Sequence, residues 1–369
     1  MTSPVRVAVN MTWCVPGAVG GSEEYLVRQV LGLDATEVEP TLFVPRGFPG
    51  AHPELRDRFA MVESGDDGTS RARRVLAEST WLFRRTGGYS LVHHGGGTVP
   101  TVHRSPTLLT VHDLQYRAFP GYFSRKKLTY LRAVMPMSAR RASAIAVPTE
   151  FVKSTVCEAY GIPGEKVHVV PHGVETRLGE RATPESELRE KFALGDAPFV
   201  VFPAMTHPHK GHAFLLDVME RHWAARGVRL VLIGGRGAAE VDIAPRLLRA
   251  PLSTTVSRLG RVSNADRDGL IRAATALVFP SEYEGFGAPL IEAMALGTPV
   301  LCSDRACLPE VVGTAGLVRT LDVDEWGSAL DALVARRSEL IDAGRERVAN
   351  FTATVSGAAL ARAYRSIVR

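Results

Sequence analysis

Short, apolar, β-branched runs recur along this chain, and they limit it to very few architectures. In the first half they are VRVAV (5–9), TLFV (41–44), LVHH (91–94), TLLTV (107–111), AIAV (144–147) and VHVV (167–170). Helical patterns fill most of the gaps, as in SEEYLVRQVLGL (22–33) and TEFVKSTVCEAYG (149–161). Strands apolar on both faces need both faces covered, which a parallel sheet flanked by helices provides. The second half repeats the scheme with FVVFP (199–203), RLVLIGG (229–235), ALVFP (276–280), PVLCS (299–303) and GLV (316–318). A polar stretch, HGVETRLGERATPES (172–186), separates the halves and reads as a linker, and TVSGAALARAYRSIVR (354–369) reads as a final amphipathic helix. The expectation is an α/β chain of two doubly wound domains. Such sheets bind ligands at the carboxyl ends of their strands, and a cleft between two of them is the favoured site.

A length of 369 residues fits two domains better than one. No apolar stretch approaches the roughly 20 residues of a membrane span, and MTSPVRVAVN leads almost directly into a strand without the pattern of a signal peptide. Cys14, Cys157, Cys302 and Cys307 are scattered with no C-x-x-C pair, which argues against a disulfide framework or zinc site and makes a reducing cytoplasm the expected location. The net charge of +5 is compatible with an anionic ligand or surface. Nucleic acid is not expected as a partner, because the basic residues are not interleaved with aromatics. The densest basic cluster, SRKKLTYLRAVMPMSARR (124–141), reads either as a solvated helix face or as a peripheral contact with the inner face of a membrane.

One stretch poses a chemical question. In SEYEGFGAPLIEAMALGTPV (281–300), Glu284 and Glu292 bracket a glycine turn between a strand and a helix. Such a turn aims free backbone N–H groups at one point, a natural seat for phosphate. Carboxylates would repel that phosphate but can accept hydrogen bonds from neutral hydroxyls. A phosphate flanked by two polyols satisfies every group, and a sugar nucleotide is such a ligand. The plainer alternative is a helix start enriched in acids.

The stretch EGFGAPLIEAMALGTPVLCSD, followed by LPEVVG (308–313), resembles the signature of glycosyltransferase family 4, the retaining enzymes of the GT-B fold. GGSEEYL (20–26), TVHDLQYRAFPGYF (110–123), AVPTEFVKSTVCEAYGIP (146–163), VVPHGV (169–174) and PHKGHAFLL (208–216) extend the resemblance over nearly the whole chain. It implies two Rossmann-like domains, 1–171 for the acceptor and 172–353 for the nucleotide-sugar, with 354–369 crossing back onto the first. It further implies sugar transfer from a nucleotide diphosphate donor to a hydroxyl acceptor (a glycan, a lipid-linked glycan or a small molecule), with retention at the anomeric carbon. No metal and no cofactor beyond the nucleotide-sugar are expected. The motif style is similar to that of members using GDP-mannose. A sugar-nucleotide epimerase of the same fold, or a UDP- or dTDP-sugar transferase, is the alternative.

Carried over residue by residue, the resemblance assigns donor contacts to Gly20, Gly21, Lys210, Glu284, Gly285, Phe286, Gly287, Ala288 and Glu292, with His112, Lys210 and Glu284 closest to the chemistry. His112 would contact the donor sugar, and Lys210 would neutralise the leaving pyrophosphate. Glu292 is expected in the first helical turn, on the nucleotide ribose. The family's additional arginine is missing here, where Ala204, Met205 and Thr206 stand instead, so Arg236 and His209 are candidates for the second positive contact. Asp113 adjoins His112, Arg261 lies in a candidate base-facing loop, RLGRVS (258–263), and His94 in HHGGG (93–97) is a candidate acceptor contact. His207, His209 and His212 have no carboxylate or cysteine beside them to complete a zinc set. The Asp-x-Asp of LDVDEW (321–326) is expected to cap a helix.

Overall fold

A computed structural model describes residues 3–15, 21–104, 106–175 and 177–368. The chain divides into two compact units, one comprising 1–173 with 352–369 and the other 174–351.

The first unit is built on a seven-stranded sheet in the order β3-β2-β1-β4-β5-β6-β7, every pairing parallel. Its strands are β1 (Val5–Asn10), β2 (Val38–Val44), β3 (Ala60–Glu63), β4 (Leu91–His94), β5 (Thr107–Thr110), β6 (Ala144–Val147) and β7 (Val167–Val169). β4, β5 and β6 are buried along their whole length, as strands covered on both faces must be. The chain runs outward from β1 through β2 to β3 and then returns to β4 on the other side. The topological switch therefore lies between β1 and β4.

The helix Gly21–Leu31 follows β1, and the last helix, Ala353–Arg365, packs across it. Their crossing depends on glycine: a Cβ on Gly32 would lie 1.8 Å from the Ala353 carbonyl oxygen, and one on Gly357 would lie 2.1 Å from Gly32. Thr352 caps the last helix by accepting the Val355 N–H. Tyr364 then reaches the buried sheet, its hydroxyl 2.8 Å from His93 Nδ1.

The second unit holds a six-stranded, wholly parallel sheet in the order β10-β9-β8-β11-β12-β13. The strands are β8 (Phe199–Pro203), β9 (Arg229–Ile233), β10 (Val256–Gly260), β11 (Ala276–Phe279), β12 (Val300–Ser303) and β13 (Leu317–Arg319). Here the switch lies between β8 and β11.

Three expectations need correction. RLGRVS begins inside edge strand β10, whose Arg258 is ion-paired with Glu240, so only its second half is loop. The stretch 172–186 is not a free linker. The Gly179 N–H donates to Asp268 Oδ2 at 3.1 Å and Thr183 Oγ1 donates to Asp266 Oδ1 at 2.9 Å, fastening the stretch to the second unit. Glu292 sits one turn further into its helix, which starts at Ala288. Asp322 does cap a helix, accepting the N–H groups of Asp324 and Glu325.

Candidate active site

At the switch point of the second unit, the loops leaving β8 and β11 are fastened together. After β8 the chain passes through a 3-10 turn, Pro208–Lys210, and reverses at Gly211 with φ of 77°. A Cβ at Gly211 would lie 2.4 Å from the Pro280 carbonyl oxygen, so only glycine allows this approach. The Glu282 N–H donates to the His209 carbonyl at 2.8 Å and completes the seam. The seam places Lys210 Nζ 2.5 Å from Glu284 Oε1, with both side chains mostly buried.

Glu284 is held from behind, where its carbonyl accepts from Cys307 Sγ at 3.2 Å. Gly285 and Gly287 are buried, and Gly287 adopts φ of 87° as the residue capping the helix Ala288–Ala295. A Cβ there would press on Leu308 at 2.8 Å. The Phe286 ring turns inward and packs edge-to-face on Phe351 at 5.4 Å, which makes it a packing residue. Pro289 occupies the second helical position, where its missing N–H costs nothing. Glu292 is buried on this helix, and it shares Arg267 with Asp268 and Glu175. Burial works against the Arg267 charge, but these carboxylates outweigh it and hold its pKa up. Arg267 bore no mark in the sequence.

The remaining basic candidates separate by electrostatics. His209 is pushed down to about 3, first by burial and then by Lys210, His207 and His212, so it is a neutral imidazole at pH 7 and supplies no charge. Arg236 and Arg261 are exposed in the loops after β9 and β10. Those loops meet, since a Cβ on Gly235 would touch the Arg261 guanidinium at 3.4 Å. Thr206 braces the same edge, accepting the Gly237 N–H at 2.7 Å and donating to Glu240 at 3.0 Å. Among the described residues, no group of three or more His, Cys, Asp or Glu could hold a metal ion.

In the first unit, His112 follows β5. Its Nε2–H donates to the Gly95 carbonyl at 3.0 Å, which leaves Nδ1 as an acceptor, buried and without a partner among the described residues. Burial lowers its pKa to about 4, so the ring is neutral. Tyr25 meets it edge-on at 5.4 Å. Asp113 folds back to accept the Gln115 N–H at 2.9 Å. Gly21 opens the helix Gly21–Leu31 and is exposed, while Gly20 lies outside the described residues. The glycines of HHGGG have a packing role: a Cβ on Gly95 would lie 2.4 Å from Leu26, and one on Gly96 would lie 2.7 Å from Trp13. His94 is buried at the end of β4, its Nδ1 3.1 Å from Asn10 Nδ2.

Known proteins agree with this architecture. Residues 19–178 match the profile of Glycosyltransferase Family 4, and residues 197–336 match that of Glycosyl transferases group 1. The O-antigen chain mannosyltransferase B of Escherichia coli is 27% identical over 241 residues, covering 64% of this chain and 63% of that protein. A D-inositol 3-phosphate glycosyltransferase of Nocardia farcinica is 32% identical over 396 residues, covering 94% of this chain and 85% of that protein. Among solved structures, Anabaena Alr3699/HepE in complex with UDP and glucose superposes with a TM-score of 0.76 at 18% identity, covering 98% of this chain and all of that one. The chain belongs to glycosyltransferase family 4 and is a glycosyltransferase with the paired doubly wound units of the GT-B fold.

Proposed function

We propose that this enzyme transfers mannose from GDP-mannose to a hydroxyl acceptor, with retention at the anomeric carbon and without a required divalent ion. The observation that carries the reading is the Lys210–Glu284 pair beside the helix start at Ala288. A cation, a turn rich in backbone N–H groups and two carboxylates then serve one ligand. The mannose assignment is supported by the style of EGFGAPLIEAMALGTPVL with LPEVVG and by the mannosyltransferase name of the Escherichia coli relative.

In this reading the N–H groups of 285–288 and Lys210 take the diphosphate, Glu292 the ribose hydroxyls and Glu284 the transferred sugar. The His112 Nδ1 lone pair accepts from a sugar hydroxyl, the role that the family resemblance gives it. The bond from the anomeric carbon to the phosphate oxygen breaks, and the electron pair leaves with the nucleoside diphosphate. The acceptor oxygen bonds the same carbon from the same face, and its proton passes to the departing phosphate oxygen. Lys210 stabilises the charge that grows there.

Thermal-shift screening against GDP, UDP and dTDP, followed by turnover of the matching sugars with and without EDTA, tests the assignment. Preference for UDP or dTDP, or collapse in EDTA with rescue by magnesium, would refute the corresponding part. An epimerase would convert the sugar nucleotide without releasing diphosphate.

We also infer that the first unit contacts an anionic bilayer. Between Arg71 and Arg141 the chain carries thirteen Lys and Arg against two acids, Glu78 and Asp113. The Arg71 guanidinium lies 5.0 Å from the Tyr130 ring, which brings the helix Arg71–Ala77 against the basic helix Arg125–Arg141. Leu76 on the former and Tyr122 before the latter are exposed apolar side chains in this basic segment. Among the described residues no helix is long and apolar enough to cross a membrane. Basic residues beside protruding apolar ones suit lipid headgroups. Cosedimentation should occur with vesicles containing phosphatidylglycerol and fade with added salt; equal binding to pure phosphatidylcholine, or a preference for RNA, would contradict it.

A further inference from the structure

Tyr25 lies in GGSEEYL and His172 in VVPHGV, and the proposed reaction gives neither residue a role. Their rings stack, with centroids 3.7 Å apart and planes within 17° of parallel. Tyr25 belongs to the helix Gly21–Leu31, and His172 follows β7 just before the chain leaves the first unit at Gly173.

That segment is gripped at several points. The Tyr25 hydroxyl donates to the Val170 carbonyl at 2.5 Å, Gln29 Nε2 to the same oxygen at 3.5 Å, and Arg28 Nη1 to the Gly173 carbonyl at 3.4 Å. From the last helix, Ser356 Oγ donates to the Pro171 carbonyl at 2.5 Å. Tyr25 is therefore anchored at its hydroxyl and covered on one face of its ring. Its ring then meets His112 edge-on at 5.4 Å, with planes 74° apart, while Trp13 meets the same imidazole at 6.0 Å and 56°.

His112 needs such walls. Among the described residues its ring makes one hydrogen bond, from Nε2–H to the Gly95 carbonyl. A ring held at one point can pivot about it and swing Nδ1 out of line. Edge-to-face packing favours one orientation over the others. Resting on the proposed transfer reaction, we propose that Tyr25 is a positioning residue: its ring, backed by His172, holds the His112 imidazole with Nδ1 turned toward the sugar hydroxyl. The ring does the positioning, and the bond to Val170 only fixes the ring.

The test is imidazole 15N spectroscopy on the full-length protein, with His112→Gln identifying the His112 signals. The parent should show the Nε2–H tautomer, and GDP-mannose added without acceptor should move Nδ1. Tyr25→Leu should give mixed tautomers, let the His112 pKa climb from about 4 toward the ordinary value of about 6.5, and lower kcat about tenfold. Its affinity for GDP, which lacks the sugar, should stay within about twofold. Tyr25→Phe keeps the ring and should preserve the tautomer, with kcat within about threefold of the parent. If Tyr25→Leu does not fold, His172→Ala removes only the backing ring and should loosen the tautomer with about threefold lower kcat. A Tyr25→Leu or His172→Ala protein with the parent's His112 signals would overturn the proposal. So would a loss in Tyr25→Phe equal to that in Tyr25→Leu, or an equal loss of GDP affinity. The tautomer comparison needs no ligand, so it judges the positioning role by itself. A parent that binds GDP-mannose with Nδ1 unmoved instead fails the sugar contact assigned to His112.

Discussion

Lys210 and Glu284, 74 residues apart in sequence, form an ion pair of 2.5 Å between Nζ and Oε1, on loops that leave the two strands flanking a topological switch. The pair is mostly buried, which strengthens the attraction between the charges and raises the cost of separating them. An arriving diphosphate would share the lysine, and Glu284 would then turn toward neutral hydroxyls.

Replacing Lys210 with alanine should lower turnover about ten- to hundred-fold, the loss of a charge-assisted contact of about 1.5–3 kcal/mol. Initial rates at saturating donor measure it. An unchanged rate would place the phosphate elsewhere.

Gly211→Ala should lower stability by about 2 kcal/mol, because its φ of 77° is unfavourable for alanine and the added Cβ meets the Pro280 carbonyl. Turnover should fall with it, since the strain acts on the loop that carries Lys210. Gly164→Ala, where an added Cβ meets nothing within 4 Å, should stay within about 0.5 kcal/mol of the parent. Urea midpoints compare the two, and equal effects would contradict the seam.

Acid should destabilise the fold well before its carboxylates titrate. His93, His94 and His209 are lowered to about 3, and His112 and His212 to about 4, all chiefly by burial. In the unfolded chain these rings take up protons near the ordinary histidine pKa of about 6.5, while the folded chain refuses them. The unfolded state therefore binds more protons below that pH, and stability falls as pH drops from about 6.5 toward 4. His52 opposes the trend: burial lowers its pKa, but Glu23 and Glu54 outweigh burial and raise it, so its contribution is lost as pH rises. His168 and His172 are lowered by burial as well, so one ring against seven leaves the net sign unchanged. Urea midpoints at pH 7.5, 6.0 and 5.0 should decline in that order, and a flat series would contradict the burial of neutral imidazoles.

The strands with unbroken apolar runs are legible in the sequence because burial on both faces leaves a compositional mark. The edge strands β3 and β10 leave none: Ala60–Glu63 is half exposed, and Val256–Gly260 is partly exposed at every residue. Lys210, Glu284 and Glu292 stand out through spacing and a glycine turn, features local to the chain. Arg267 beside Glu292, and Glu78 beside Asn10, arise only when distant segments meet, so periodicity cannot reveal them. The HHGGG glycines mislead for a related reason, because the bulk they accommodate is Trp13, some eighty residues earlier in sequence.

In the proposed reaction Glu284 and Glu292 serve different parts of one sugar nucleotide, and the decisive measurement is calorimetry with GDP on Glu284→Ala and Glu292→Ala. Glu292→Ala should weaken GDP about tenfold, because that ligand still carries the ribose. Glu284→Ala should leave GDP affinity within about twofold, or tighten it by freeing Lys210, while turnover of the intact donor falls. Equal loss of GDP affinity in both variants would contradict the division between ribose and transferred sugar.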